Sequence, residues 1–234
     1  MTEISRRCCA IVVAAGNSTR MEARIPKIWI PLGGVPVIAR TLLAFQRAQR
    51  VEEIVVVCRR DDLGPVARLA REHSLTKVAK IVRGGETRQQ SVARGIAAAS
   101  PWASYFAVHD GARPLVRPQQ IDEVIRDAYQ YGASALAAPV KDTVKRADRR
   151  GMVLETPPRR ELWAVQTPQV FERFLYLHAM ELAQGDYTDD CQLIENTGGT
   201  VHLCAGDSEN LKLTTKEDIL FAEAVLKKRR EASV

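Results

Sequence analysis

The sequence predicts an α/β fold, a single doubly wound and mostly parallel sheet carrying a projecting β-hairpin arm, and three observations lead there. Short runs rich in Val and Ile alternate with amphipathic stretches of helix length through residues 8–140. That alternation is the signature of strands joined by crossover helices, which cover both faces of a parallel sheet. One polar, basic segment, 141–161, then interrupts the rhythm. Finally, 234 residues with 46% apolar and 26% charged side chains are ordinary for a globular chain and suffice for one sizeable core, so a single domain over 1–234 is expected, with no membrane-spanning run and a cytoplasmic location.

The elements follow in order. Residues 8–14 form a buried strand, and 35–49 a helix with Pro36 near its start and Ile38, Leu42 and Phe45 on one stripe. Strands are expected at 53–58, 77–82 and 104–108, with helices at 61–74 and 88–99 between them. A helix from Pro118 to Tyr131 and a strand at 133–140 follow. In 141–161, two strand-like halves, 143–147 and 152–156, flank the turn-like Asp148-Arg149-Arg150-Gly151. An isolated hairpin is marginally stable in water, so this arm is expected to pack on a second copy of the chain. A strand at 162–171, helices reaching Gln184 and spanning 189–196, a strand at 200–204 and a last helix from Lys216 complete the chain. Ile219, Ala222 and Leu226 dock that helix.

The formal net charge is +6, and Lys227, Lys228, Arg229 and Arg230, set against Glu231, account for half of it at one helix end. Cations there complement the helix macrodipole. The body is therefore mildly basic, which suits an anionic small molecule better than a nucleic acid. Cys8, Cys9, Cys58, Cys191 and Cys204 lie in apolar runs without a CxxC spacing or histidine partners, as buried free thiols do.

In an open parallel sheet, ligands bind beyond the carboxyl ends of the strands. The loops 15–27, 84–88 and 110–117 are thus expected to converge. The first contains neither GxGxxG nor GxxxxGK[ST], which argues against a dehydrogenase and a P-loop ATPase. Ala14, Ala15, Gly16 and Asn17 are nevertheless small enough to let backbone N–H groups approach phosphates, and Arg20 and Lys27 add cations. Taken alone, the same loop also fits an ordinary solvated turn. Asp110 with Arg113 reads equally as a metal and phosphate pair or as a loop salt bridge, while His109 lacks a partner in sequence and reads as structural.

Seven blocks, taken together, carry more. AAGNSTRM with IPK, GGETRQQSV, HDGARPLV, PVKDTVKRA, LWAVQTPQVF, YTDD and ENLKLTT occur in the order found in the 2-C-methyl-D-erythritol 4-phosphate cytidylyltransferases of the non-mevalonate isoprenoid pathway. The sequence resembles that family from about Cys9 to the last helix. The resemblance implies a Rossmann-like nucleotidyltransferase that moves CMP from CTP to 2-C-methyl-D-erythritol 4-phosphate with release of pyrophosphate, assisted by Mg²⁺ and working as a homodimer.

It further implies roles for particular residues. Ala14, Ala15, Gly16 and Asn17 would wrap the triphosphate; Arg20 and Lys27 would act on the transition state; and Gly85, Arg88 and Ser91 would meet cytosine and ribose. Asp110 would hold the metal, with Glu209 as a second carboxylate and Asp207 its competitor. Arg113, Asp142, Thr143, Lys145, Thr167 and Thr188 would receive the acceptor; Lys212 would position its phosphate; and Arg159, adjacent to Arg160, would reach it from the neighbouring subunit. Two stretches, Asn17-Ser18-Thr19 and Ile28-Trp29, depart from the family pattern without removing a charge. A ribitol 5-phosphate cytidylyltransferase and a catalytically silent nucleotide-binding module are the alternatives.

Overall fold

The computed structural model describes residues 6–16, 25–185, 187 and 189–232. Its centre is a seven-stranded sheet in the order β11-β7-β10-β6-β1-β4-β5. The strands are β1 (Cys8–Ala14), β4 (Val51–Cys58), β5 (Val78–Arg83), β6 (Tyr105–Asp110), β7 (Ala133–Pro139), β10 (Trp163–Glu172) and β11 (His202–Ala205). All neighbours run parallel except β10, which is antiparallel to both β6 and β7. The expected mostly parallel sheet is thus present, with strand boundaries displaced by one or two residues.

Strand β1 shows why the sheet is buried on both sides. Alternate side chains point to opposite faces. Cys8, Ala10, Val12 and Ala14 enter one core with α1 (Val37–Arg47), α2 (Leu63–Glu72) and α4 (Pro118–Tyr131). Cys9 and Ile11 enter the other with α3 (Arg88–Ala98), α5 (Arg173–Glu181) and α6 (Cys191–Asn196). All five cysteines are buried and free, as expected. Burial pushes their thiols upward, to about 12 at Cys58 and Cys204, which keeps them protonated and unreactive.

The first helix begins later than the sequence suggested. Gly33 and Gly34 both adopt positive φ, closing Pro31–Leu32 (β2) onto Val35–Pro36 (β3) as a small antiparallel hairpin. Pro36 caps α1 from outside instead of opening it. Ile38, Leu42 and Phe45 are fully buried, as their stripe predicted.

The arm is present as β8 (Arg146–Ala147) against β9 (Val153–Glu155), shorter than the two halves expected. Asp148 accepts from the backbone N–H groups of Arg150 and Met152, and Gly151 supplies the positive φ that closes the turn. Met152, Val153 and Leu154 are each more than half exposed.

The last helix, α7 (Lys216–Glu231), is started by a reciprocal Thr215–Asp218 capping box. Its apolar side meets Leu32, Val37, Leu115 and Leu213. Its basic end is engaged with the body: Arg229 donates to Leu115 O and Glu209, and Arg230 to Gly33 O. Among the described residues, no helix is long and apolar enough to cross a membrane.

Candidate active site

Strand β1 lies between β4 and β6, where the strand order reverses, so the chain leaves the sheet in opposite directions on either side of it. A crevice opens there. It is lined by Val13, Ala14, Ala15 and Gly16 after β1; by Arg83 to Arg88 with Ser91 at the β5–α3 junction; by Asp110 and Ala112 after β6; and by Lys27, Ile28 and Lys212. Cys58, Arg59 and Arg60 contribute from the end of β4. The described parts of the three loops expected to converge do so, together with the end of the fourth parallel strand, β4.

Small residues are sterically required at the junction. A Cβ on Gly84 would lie 2.4 Å from the Ala15 Cβ, and one on Gly111 3.0 Å from the Ala14 Cβ. The β5–α3 loop is fixed by its own hydrogen bonds. Gly85 N–H donates to Ser91 Oγ (3.0 Å), Ser91 Oγ donates to Thr87 O (2.9 Å), and Glu86 N–H donates to Gln90 Oε1 (2.8 Å). Thr87 caps the following helix through Gln90 N–H.

Asp110 occupies the end of β6, surrounded by cations. Lys212 Nζ is 2.9 Å away, Arg88 Nε 3.5 Å and Arg113 Nε 3.7 Å. Burial alone would raise its pKa, but Lys212, Arg88 and Arg113 together hold it well below the usual carboxylate range, so it is ionised. Both arginines have a second anchor. Arg88 Nη1 reaches Asp190 at 2.7 Å, and Arg113 Nη1 donates to Asn210 O at 2.8 Å. Burial alone would lower the Arg88 pKa, but Asp190 and Asp110 raise it.

His109 is fully buried behind this cluster. Its Nδ1 is 3.0 Å from Thr167 Oγ1, its Nε2 is 3.3 Å from Arg113 O, and its ring packs on Phe45. Burial pushes its pKa down to about 3, so it remains neutral and structural, as read from the sequence. The buried Thr167 hydroxyl accepts from Asp110 N–H at 3.1 Å. Between Asp110 N–H and His109, this oxygen also braces the loop after β6 from behind.

Glu209 is held by cations away from the crevice lining. Its carboxylate is enclosed by Arg117 (2.6 Å), Arg229 (3.0 Å) and Lys228 (3.4 Å), and it is absent from the lining of the crevice. Burial opposes ionisation, but hydrogen bonds from Arg117 and Arg229 hold its pKa down to about 2. Asp207 is likewise occupied, accepting from Gln120 and from the N–H groups of Glu209 and Asn210. Asp110 is therefore the one carboxylate among these candidates that faces the crevice.

The arm residues lie outside the lining of the crevice. Asp142 and Thr143 are exposed, Lys145 donates to Thr156, and Arg159 donates to Lys141 O at 2.7 Å. Asn17, Arg20 and Thr188 lie outside the described residues.

The departure at Ile28-Trp29 has a local role. Ile28 is buried in the wall of the crevice, and Trp29 Nε1 donates to Asp62 Oδ1 at 2.7 Å. Asp62 also holds Arg59, so the turn carrying Lys27 is tied to the exit of β4.

A family model described as 2-C-methyl-D-erythritol 4-phosphate cytidylyltransferase matches residues 8–228. The chain belongs to this family. It is 45% identical over 224 residues to the 2-C-methyl-D-erythritol 4-phosphate cytidylyltransferase of Geobacillus kaustophilus, an alignment covering 94% of this chain and 97% of the relative. It is 43% identical over 227 residues to the enzyme of that name from Caldanaerobacter subterraneus, covering 94% and 98%. Among solved structures, it resembles 4-diphosphocytidyl-2C-methyl-D-erythritol synthase from Anaerococcus prevotii, with a TM-score of 0.83, 31% identity and coverage of 95% of this chain and 99% of that one.

The loop after β4 and the buried Asp190 were not singled out in the sequence. The former could have been found from the rule that all parallel strands deliver their carboxyl ends to one edge. The latter sits inside the YTDD block, but its burial depends on contacts remote in sequence.

Proposed function

We propose that this cytidylyltransferase couples CTP to 2-C-methyl-D-erythritol 4-phosphate through the crevice at the end of β1, working as a cytoplasmic homodimer. The carrying observation is the convergence of the Ala14–Gly16 backbone, the Gly84–Arg88 loop, Asp110, Lys27 and Lys212 on that crevice in a member of this family.

The attacking group is an oxygen of the acceptor phosphate, already ionised at neutral pH. It bonds to the α-phosphorus of CTP while the bond to the α,β-bridging oxygen breaks, and pyrophosphate leaves with that electron pair. No residue is required as a covalent nucleophile or as a base. Catalysis lies in aligning two polyanions and stabilising the charge that develops between them.

Lys27 and Arg20 supply cations to the transition state. Lys212 positions the acceptor phosphate, and Arg113 holds the Asp110 and Asn210 segments beside it. Small residues at 14–17 admit backbone N–H groups to the triphosphate, while Gly85 and Ser91 shape a loop suited to a pyrimidine edge.

Asp110 fits Mg²⁺, since it is an ionised hard oxygen donor on the crevice wall that can share an ion with phosphate oxygens. Among the described residues, no group of three or more His, Cys, Asp and Glu side chains forms a self-sufficient metal cage. An ion held by Asp110 and phosphates would neutralise charge on the triphosphate.

The exposed apolar edge of the arm, Met152 to Leu154, supports pairing with a second copy that brings Asp142, Thr143, Lys145 and Arg159 to the acceptor. Pyrophosphate release from CTP, followed separately with methylerythritol phosphate and ribitol 5-phosphate, tests the reading. Release with the former and little with the latter is expected. The reverse preference makes the chain a ribitol-phosphate enzyme, and CTP binding without release makes it a binding module.

A further inference from the structure

The buried carboxylate of Asp190 has no part in the chemistry described above, yet three elements are built around it. Asp190 precedes α6 and is 2% exposed. Its Oδ1 accepts the Tyr176 hydroxyl of α5 at 2.5 Å, and its backbone N–H donates to Gln169 Oε1 of β10 at 3.0 Å. Tyr176 is itself fully buried and stacked on Phe171, with ring centroids 4.6 Å apart. Both the carboxylate and its support are therefore fixed by packing as well as by hydrogen bonds.

The third partner is Arg88, the first residue of α3, which immediately follows the Gly84–Thr87 loop and lines the crevice. Its guanidinium touches two carboxylates unequally: Nη1 is 2.7 Å from Asp190, whereas Nε is 3.5 Å from Asp110. A guanidinium forms its strongest bonds with a rigid, desolvated carboxylate. Asp190 is such a partner, and it is not itself part of the crevice lining.

We propose that Asp190, braced by Tyr176, is a positioning residue that anchors Arg88 in the nucleotide crevice and keeps its guanidinium from closing onto Asp110. Two consequences follow. Arg88 presents its remaining N–H groups to CTP in a fixed direction, and Asp110 retains a carboxylate only loosely shared with Arg88. Loss of the anchor weakens CTP binding more than it slows transfer, because the groups acting on the transition state are elsewhere. This inference rests on the proposed nucleotide site.

The test measures CTP affinity by calorimetry beside steady-state kinetics for wild type, Asp190→Asn, Asp190→Glu, Tyr176→Phe, Arg88→Ala and the Arg88→Ala/Asp190→Asn double variant. Asp190→Asn is expected to weaken CTP binding and raise KM for CTP about tenfold with kcat changed less than about threefold, the scale of one charge-assisted hydrogen bond. Asp190→Glu should recover part of the loss, and Tyr176→Phe should weaken CTP about two- to threefold. In the Arg88→Ala background, Asp190→Asn should have little further effect on CTP, since its influence passes through that side chain.

Unchanged CTP affinity in a folded Asp190→Asn variant overturns the proposal, as does an undiminished effect in the Arg88→Ala background. If Asp190→Asn does not fold, Tyr176→Phe decides, and wild-type CTP affinity there overturns it. A wild-type enzyme that binds CTP without transferring CMP would defeat the catalytic reading but leave this binding test intact.

Discussion

The end of β6 and the arm at 141–161 contrast in how they are held. Around Asp110, the carboxylate and both arginines each have two or more fixed partners, and His109, Thr167, Asp190 and Asn210 support them from buried positions. In the arm, the contacts are surface pairs such as Arg146–Glu155 at 2.9 Å, with both side chains more than half exposed. The crevice is thus preorganised by its own chain, as an electrostatic catalyst must be. The arm gains little order from the body, which suits a segment completed by a second subunit.

Four measurements sharpen or break this contrast, in descending size. Lys27→Ala removes a cation from the preorganised half, and kcat should fall on the order of 10²- to 10³-fold with a smaller change in KM for CTP. A preserved kcat with only KM raised would remove Lys27 from the transition state.

Arg159→Ala should lower activity about tenfold or more, as expected for a lost phosphate-directed guanidinium. Mixing this variant with Lys27→Ala should restore activity at about a quarter of all sites if arms are exchanged between subunits, because only mixed dimers rebuild an intact site. No restoration would place the arm on its own crevice.

The third test concerns pH. The folded pKa of His109 is depressed from 6.5 to about 3 by burial, so protons bind the unfolded chain first. Its contribution to stability is complete above pH 6.5 and lost as pH falls from 6.5 towards 3, by up to about 1.4 kcal/mol per pH unit. Denaturant unfolding at pH 7 and pH 5 should show that slope in wild type and a reduced slope in His109→Gln. An equal slope in both would detach His109 from the acid sensitivity.

The smallest effect belongs to the arm. Arg146→Ala should change unfolding free energy by less than about 0.5 kcal/mol, since solvent screens so exposed a pair. A larger loss would mean that the arm is ordered more firmly than its surface contacts suggest.

What could be read from the sequence divides along physical lines. Periodicity located every strand of the main sheet, because β-branched runs and amphipathic stripes are local properties. It also placed Ile38, Leu42 and Phe45 correctly in the core while misplacing the start of their helix. Gly33 and Gly34 form a positive-φ hairpin there, held through Gly33 by Glu223 and Arg230 from the far end of the chain. Side-chain partnerships were the least legible feature. Glu209, which the resemblance offered as a second carboxylate, is engaged by Arg117 and Arg229; Asp190 drew no reading of its own and is buried against Arg88. Both outcomes depend on contacts between residues far apart in sequence.

The antiparallel strand β10 has one more consequence. Because β7 ends where β10 begins, the arm leaves and re-enters the body at a single point, closed by the hydrogen bond from Val140 N–H to Leu162 O at 3.1 Å. An insertion whose two ends already meet costs the sheet no register and little closure entropy. The arm is therefore a natural cassette. Grafting the corresponding segment of a related enzyme between Val140 and Leu162 would exchange the arm's surface while leaving the crevice at the end of β1 untouched.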